Sequence, residues 1–197
     1  MPNLTQTCSD DATKENSIER FQKALNRNLY ELSIAISMRN GLNELSKAAP
    51  KLYWSFFAYS YIALYDGYLS HAIKVLDRHK DAASFLCIRN CEMKLVNSLL
   101  KKKGMSLPDI NVLVDKLTHV RDKTLFHIDK HGVDNSAKIW EEADIKGILI
   151  NSIVDNIWEI LNDIHREKYG KEYISPIYKG KDVAKIVEVC RSARIEI

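Results

Sequence analysis

Apolar residues recur at three- and four-residue steps along nearly the whole chain, the spacing that lines one face of an α-helix. Ile18, Phe21, Leu25, Leu29, Leu32, Ala35 and Ile36 make the first stripe. They predict a helix over about residues 13–40, with Gly41 and then Pro50 marking its end. Trp54, Phe57, Tyr61, Tyr65 and Tyr68 predict a second helix over about residues 52–77. Phe56, Tyr59 and Ile62 widen that stripe, so this helix is expected to be central and touched on more than one side. A third helix is expected over about residues 82–101, where Lys101, Lys102 and Lys103 followed by Gly104 suit a helix end. A fourth opens after Ser106 and Leu107, with Pro108 and Asp109 in its first turn. It buries Ile110, Leu113, Leu117 and Val120 and reaches the neighbourhood of His127, with Gly132 as its stop. Asn135 or Ser136 caps a fifth helix over about residues 137–169, faced by Ile145, Leu149, Ile153, Ile157, Ile160 and Ile164. After Gly170 the string ISPIYKGK reads as a linker, and a short helix over about residues 182–194 follows it. The expected fold is all-α, a four- or five-helix bundle over residues 13–169. Residues 1–12 form a flexible N-terminus, and residues 170–197 a linker and C-terminal helix packed on the same domain.

Composition narrows the class. With 7 glycines and 4 prolines in 197 residues, the chain lacks the turn residues that a β-sandwich or barrel needs. The net charge of +3 is too small for a dedicated polyanion binder, but it leaves room for a local basic groove. Cys8, Cys87, Cys91 and Cys190 form no C-x-x-C pair, and the opening MPNLTQTCSDD has neither a basic nor an apolar leader segment. The longest uncharged run, residues 52–65, ends at Asp66 and falls short of the roughly 18 residues a bilayer requires. A cytoplasmic protein that does not engage a membrane is expected.

One stretch carries chemistry: HVRDKTLFHIDKHG, residues 119–132. It gathers Arg121, Asp122, His127 and Asp129 at the end of a helix. A guanidinium is a permanently charged fork that fits phosphate oxygens. An imidazole both takes and gives a proton near neutral pH. A neighbouring carboxylate can orient either one. Such a set suffices for phosphodiester cleavage without a metal or any other cofactor. At about 100° per residue, positions six apart lie about 120° apart around an ideal helix. Arg121 and His127 therefore share a site only if the helix loosens between them or if two copies of the chain meet there. Lys123 and His127 do share a face.

The string R-D-K followed by H-x-D, here Arg121, Asp122, Lys123, His127 and Asp129, resembles the R-x(4–6)-H signature of the HEPN superfamily. It looks most like the abortive-infection (AbiU-like) branch, as does the preceding YDGYLSHAIKVLDRHKDAASF. The resemblance implies an all-α bundle that pairs with a second copy, so that two motif helices form one cleft. It implies a metal-independent endoribonuclease, a toxin or phage-defence effector, with RNA as substrate and an antitoxin or regulatory protein as a further partner. His127 would act as general base or acid when the 2′-hydroxyl attacks the adjacent phosphate, leaving a 2′,3′-cyclic phosphate and a 5′-hydroxyl. Arg121 would stabilise the transition-state charge and Asp122 would orient Arg121 or His127, while Lys123 and Asp129 would contact the RNA. DNA, lacking the 2′-hydroxyl, would be excluded. Two positions depart from the family pattern. Asp129 stands where some HEPN toxins carry a modifiable tyrosine, and Phe126 stands where a small residue is usual.

Each residue also has a plainer reading. His127 could be a surface histidine at a helix end, and Arg121 could simply pair with Asp122 or Asp115, a contact that contributes about 0.3–0.5 kcal/mol. The chain would then be a non-catalytic HEPN module that binds RNA or a partner protein, or a helical dimerisation module. His127 and His131 are four apart but lack a third ligand on their face, and no H-E-x-x-H occurs, so no metal site is expected. Cys87 and Cys91 share a helix face and are expected to be buried small apolar residues. No G-x-G-x-x-G or G-x-x-x-x-G-K string is present, which disfavours nucleotide-dependent chemistry by this chain alone.

Overall fold

The computed structural model describes residues 7–49, 56–125 and 136–193. Those residues form helices and connections, with no strand among them. In chain order the helices are α1 (Thr7–Ala48), α2 (Phe56–Leu76), α3 (Phe85–Cys91), α4 (Met93–Lys102) and α5 (Leu107–Val120). A π-helical turn, Arg121–Leu125, continues α5, and α6 (Ser136–Ala143), α7 (Gly147–Tyr169) and α8 (Val183–Ser192) follow. The fold is all-α, as the periodicity predicts.

The spine is α1. Leu25, Leu29, Leu32 and Ala35 on its inner stripe are sealed against Leu69, Ile73 and Leu76 of α2. Phe85 and Ile88 of α3, Leu113 and Leu117 of α5, and Ile157, Ile160 and Ile164 of α7 complete the same core. Ile18, at the start of the predicted stripe, is exposed. Helix α1 begins at Thr7, earlier than residue 13, and does not stop at Gly41. A β-carbon at Gly41 would lie 3.4 Å from the Tyr178 ring and 3.6 Å from Leu64, so this glycine lets neighbours come close within a continuous helix. The helix penalty of a glycine, about 1 kcal/mol, is small beside that packing.

Two expected helices are each broken in two. The third breaks at Glu92, whose backbone leaves the helical region (φ −123°, ψ 47°), giving α3 and α4. The fifth breaks between α6 and α7, where Asp144 takes a left-handed conformation (φ 44°) that aspartate tolerates better than most residues. The start of α5 follows the sequence: Ser106 Oγ accepts from the Asp109 backbone N–H at 3.3 Å, with Pro108 in the first turn. Gly170 ends α7 in the left-handed region (φ 70°), the usual role of glycine at a helix end. The predicted breadth of α2 needs correcting. Phe57 and Tyr68 are buried, but Phe56, Tyr59 and Ile62 are exposed, so the first half of this helix buries one side only.

The stretch after α7 is a strap laid along α1. Tyr173 N–H donates to Asn162 Oδ1 at 3.2 Å, and His165 Nδ1 meets the Lys171 carbonyl at 2.7 Å. Further along, Tyr178 N–H donates to Ser37 Oγ at 3.0 Å, and its carbonyl accepts from Asn40 Nδ2 at 2.8 Å. Side chains of both helices thus supply the partners that an irregular backbone needs. Val187 of α8 is then buried with Leu45, Ala49 and Phe57 in a small second cluster. No helix among the described residues is long and apolar enough to cross a membrane.

Candidate functional site

The regular part of α5 ends where the Arg-Asp-Lys string begins. The Arg121 N–H still bonds back to the Leu117 and Thr118 carbonyls, and from Arg121 to Leu125 the winding widens to a π-helical turn. Such turns are rare and recur at functional sites. The widened winding ends at Leu125, and the residues between it and His127 lie outside the described ones. Helix α6 lies against both α5 and the turn. It is anchored by Trp140, whose ring sits 5.9 Å from that of Tyr65 on α2.

Arg121 Nε donates to Asp122 Oδ1 at 2.8 Å. The Arg121 side chain is about one-quarter exposed (26%) and that of Asp122 about half (48%). This neighbour contact serves both readings of the sequence, an oriented guanidinium or a plain surface pair. Asp115, the other acid considered for Arg121, is taken by Arg78, just past the end of α2. Lys123 lies on the same turn and is half-buried. His127 and Asp129, together with Phe126 and His131, lie outside the described residues. Among the described residues no three His, Cys, Asp or Glu side chains gather as a metal site would require.

A second polar cluster escaped the sequence reading. Glu31 of α1 is 3% exposed. Its carboxylate meets His71 Nδ1 of α2 at 2.5 Å, Arg27 one turn back on α1, and Lys74 Nζ at 3.6 Å. Burial pushes the Glu31 carboxyl up, but the His71 hydrogen bond and the Lys74, His71 and Arg27 charges outweigh it, and the group ends below the ordinary value of 4.5. One signal was available: Glu31 is in phase with Ala24, Asn28 and Ala35, all buried, so its position belongs to the inward stripe. A third polar contact ties α1 to α7, where Arg39 donates to both Asp155 carboxylate oxygens at 2.6 and 3.0 Å. Next to it, Tyr68 of α2 donates to Asn151 Oδ1 at 2.7 Å.

Of the other residues singled out by sequence, Cys87 is half-buried and Cys91 exposed, which corrects their expected burial. They stand on α3 facing open space, not the core. Lys103 is paired with Glu159 of α7, while Lys101 and Lys102 are exposed.

No protein-family model, curated protein or solved structure matches this chain.

Proposed function

We propose that this chain is a metal-independent endoribonuclease of HEPN type that works in the cytoplasm as a homodimer, as a toxin or phage-defence effector. The observation that carries the reading is the π-helical turn that begins at Arg121 and carries Asp122 and Lys123 in an all-α chain. In this reading Asp122 holds the Arg121 guanidinium, and Arg121 supplies fixed positive charge to the phosphorane-like transition state. His127 moves the proton of the attacking 2′-hydroxyl, and Lys123 and Asp129 contact the RNA strand. A second copy brings the same residues to the other side of the scissile phosphate, and an antitoxin or other regulatory protein restrains the dimer.

The test is cleavage of a mixed RNA pool in EDTA by wild type, Arg121→Ala and His127→Ala, with product ends analysed. The reading expects 2′,3′-cyclic phosphate ends from wild type and loss of cleavage in both variants. Equal cleavage by all three proteins overturns the site. Salt-dependent RNA binding without cleavage makes the chain a binding module instead.

A further inference from the structure

A cleft of about 890 Å3 opens between the first half of α1, the connection from α2 to α3, and α3. It is remote in sequence from Arg121, and its volume lies within the range of small-molecule sites. Arg20, Lys23 and Arg27 occupy positions i, i+3 and i+7 of α1, so their side chains form one stripe along its wall. Lys80 faces them from the connecting loop. Lys23 is paired with Glu19 and Arg27 with Glu31, whereas Arg20 and Lys80 make no ion pair among the described residues. Among the described residues the lining holds four cations and one carboxylate, Asp81, which lies 3.7 Å from His79 Nδ1.

The floor is apolar and fixed. Phe21 and Ala24 of α1 lie opposite Ala82, Ala83 and Ile88. Asn28, 3% exposed, donates from Nδ2 to the Ala83 carbonyl at 2.5 Å and to the Ala24 carbonyl at 2.8 Å, pinning the loop to α1. The Ala82 N–H closes a turn onto the His79 carbonyl at 2.9 Å. Cys87 and Cys91 border the same space.

We propose that this cleft binds a nucleoside polyphosphate, either free or as the 5′ end of an RNA strand. The multiple negative charges of the phosphates match the row of cations, to which a single fatty-acid carboxylate would be a poor match. The base lies flat on the short apolar floor beside Phe21, and Asp81 accepts from a ribose hydroxyl. A long acyl chain would need an enclosed tunnel, and this cleft is open to solvent. Arg20 and Lys80 hold the phosphates, since among the described residues neither is tied to a carboxylate. The site is a binding site and does not cleave the phosphates, consistent with the missing phosphate-cradling loop. It stands independently of the ribonuclease reading.

The border thiols give a readout that needs no activity. Alkylation of Cys87 and Cys91 in the full chain is followed by peptide mass spectrometry at pH 8.5, since burial and the neighbouring Cys87 push the Cys91 thiol up. ATP and ADP at millimolar concentration are expected to slow alkylation of Cys91 about fivefold or more, and adenosine and decanoate to leave it unchanged. Protection by a 5′-triphosphate oligonucleotide, but not by its 5′-hydroxyl form, would identify a strand end as a source. Arg20→Ala and Lys80→Ala are each expected to weaken ATP binding about tenfold, with the melting temperature unchanged. The proposal fails if no nucleotide or oligonucleotide protects either thiol, if decanoate protects and nucleotides do not, or if a chain carrying both Arg20→Ala and Lys80→Ala binds ATP as wild type does.

Discussion

Two clusters of acidic and basic residues stand in different surroundings in this molecule. In one, Glu31 is buried between α1 and α2 and held by His71, Arg27 and Lys74. In the other, Arg121 and Asp122 are chain neighbours on a widened turn, partly open to water. The first cluster uses its charge on itself. A sealed carboxylate needs its partners to offset the loss of hydration, so they are committed to the fold. The second has an acid that fixes the direction of a guanidinium that still reaches solvent, which is what a transition-state clamp requires. Exposure and commitment of partners, more than residue type, separate an ion cluster given over to the fold from one that stays open to a ligand.

That contrast can be broken by experiment. The largest effect is expected at the two residues of the proposed site: Arg121→Ala and His127→Ala should each lower RNA cleavage about 100- to 1,000-fold, the usual loss when one charge stabiliser is removed. Their melting temperatures should stay within about 2 °C of wild type, read by calorimetry. Next comes Glu31→Gln, which should cost about 2 kcal/mol in urea unfolding while leaving cleavage near wild type. The figure is held down because Arg27 and Lys74 are mostly exposed and rehydrate. A Glu31→Gln protein of normal stability that no longer cleaves RNA would reverse the two roles.

The pH dependence sharpens the same contrast. The Glu31 carboxyl is held below 4.5 in the folded chain, so its contribution is present above that value and is lost as pH falls through the lower folded value. The urea midpoint should therefore drop more steeply between pH 5 and pH 3 in wild type than in Glu31→Gln. The smallest effect belongs to Asp122→Asn, which keeps an acceptor for Arg121 Nε. It should reduce cleavage only a few-fold with stability unchanged, within about 0.5 kcal/mol by chemical unfolding. A loss as large as that of Arg121→Ala would give Asp122 a part in the chemistry itself.

How far each feature was legible follows from the range of the forces behind it. The stripe Leu25, Leu29, Leu32 and Ala35 could be read because helical periodicity is local, and all four are buried. The breaks at Glu92 and Asp144 could not, since neither carries a glycine or proline and apolar spacing continues through both. Gly41 was misleading for the opposite reason: a breaker by propensity, it sits inside a continuous helix where Tyr178, far along the chain, packs close. The exposed Phe56, Tyr59 and Ile62 show that helical spacing of aromatics does not decide how many sides are covered. Arg121 and Asp122 stand together in the sequence and in space. Glu31 and His71 stand 40 residues apart, and only the pairing of α1 with α2 unites them.

The strap makes the order of synthesis matter. Asn40 and Tyr178 are separated by 138 residues, and Ser37 and Tyr178 by 141. At translation speeds of roughly 5–20 residues per second, Asn40 is synthesised about 7–28 seconds before Tyr178. During that interval Ser37 and Asn40 lack the backbone partners that Tyr178 supplies. The clasp on α1 therefore cannot close before Tyr178 is made, and a chain truncated before Tyr178 would leave α1 without it.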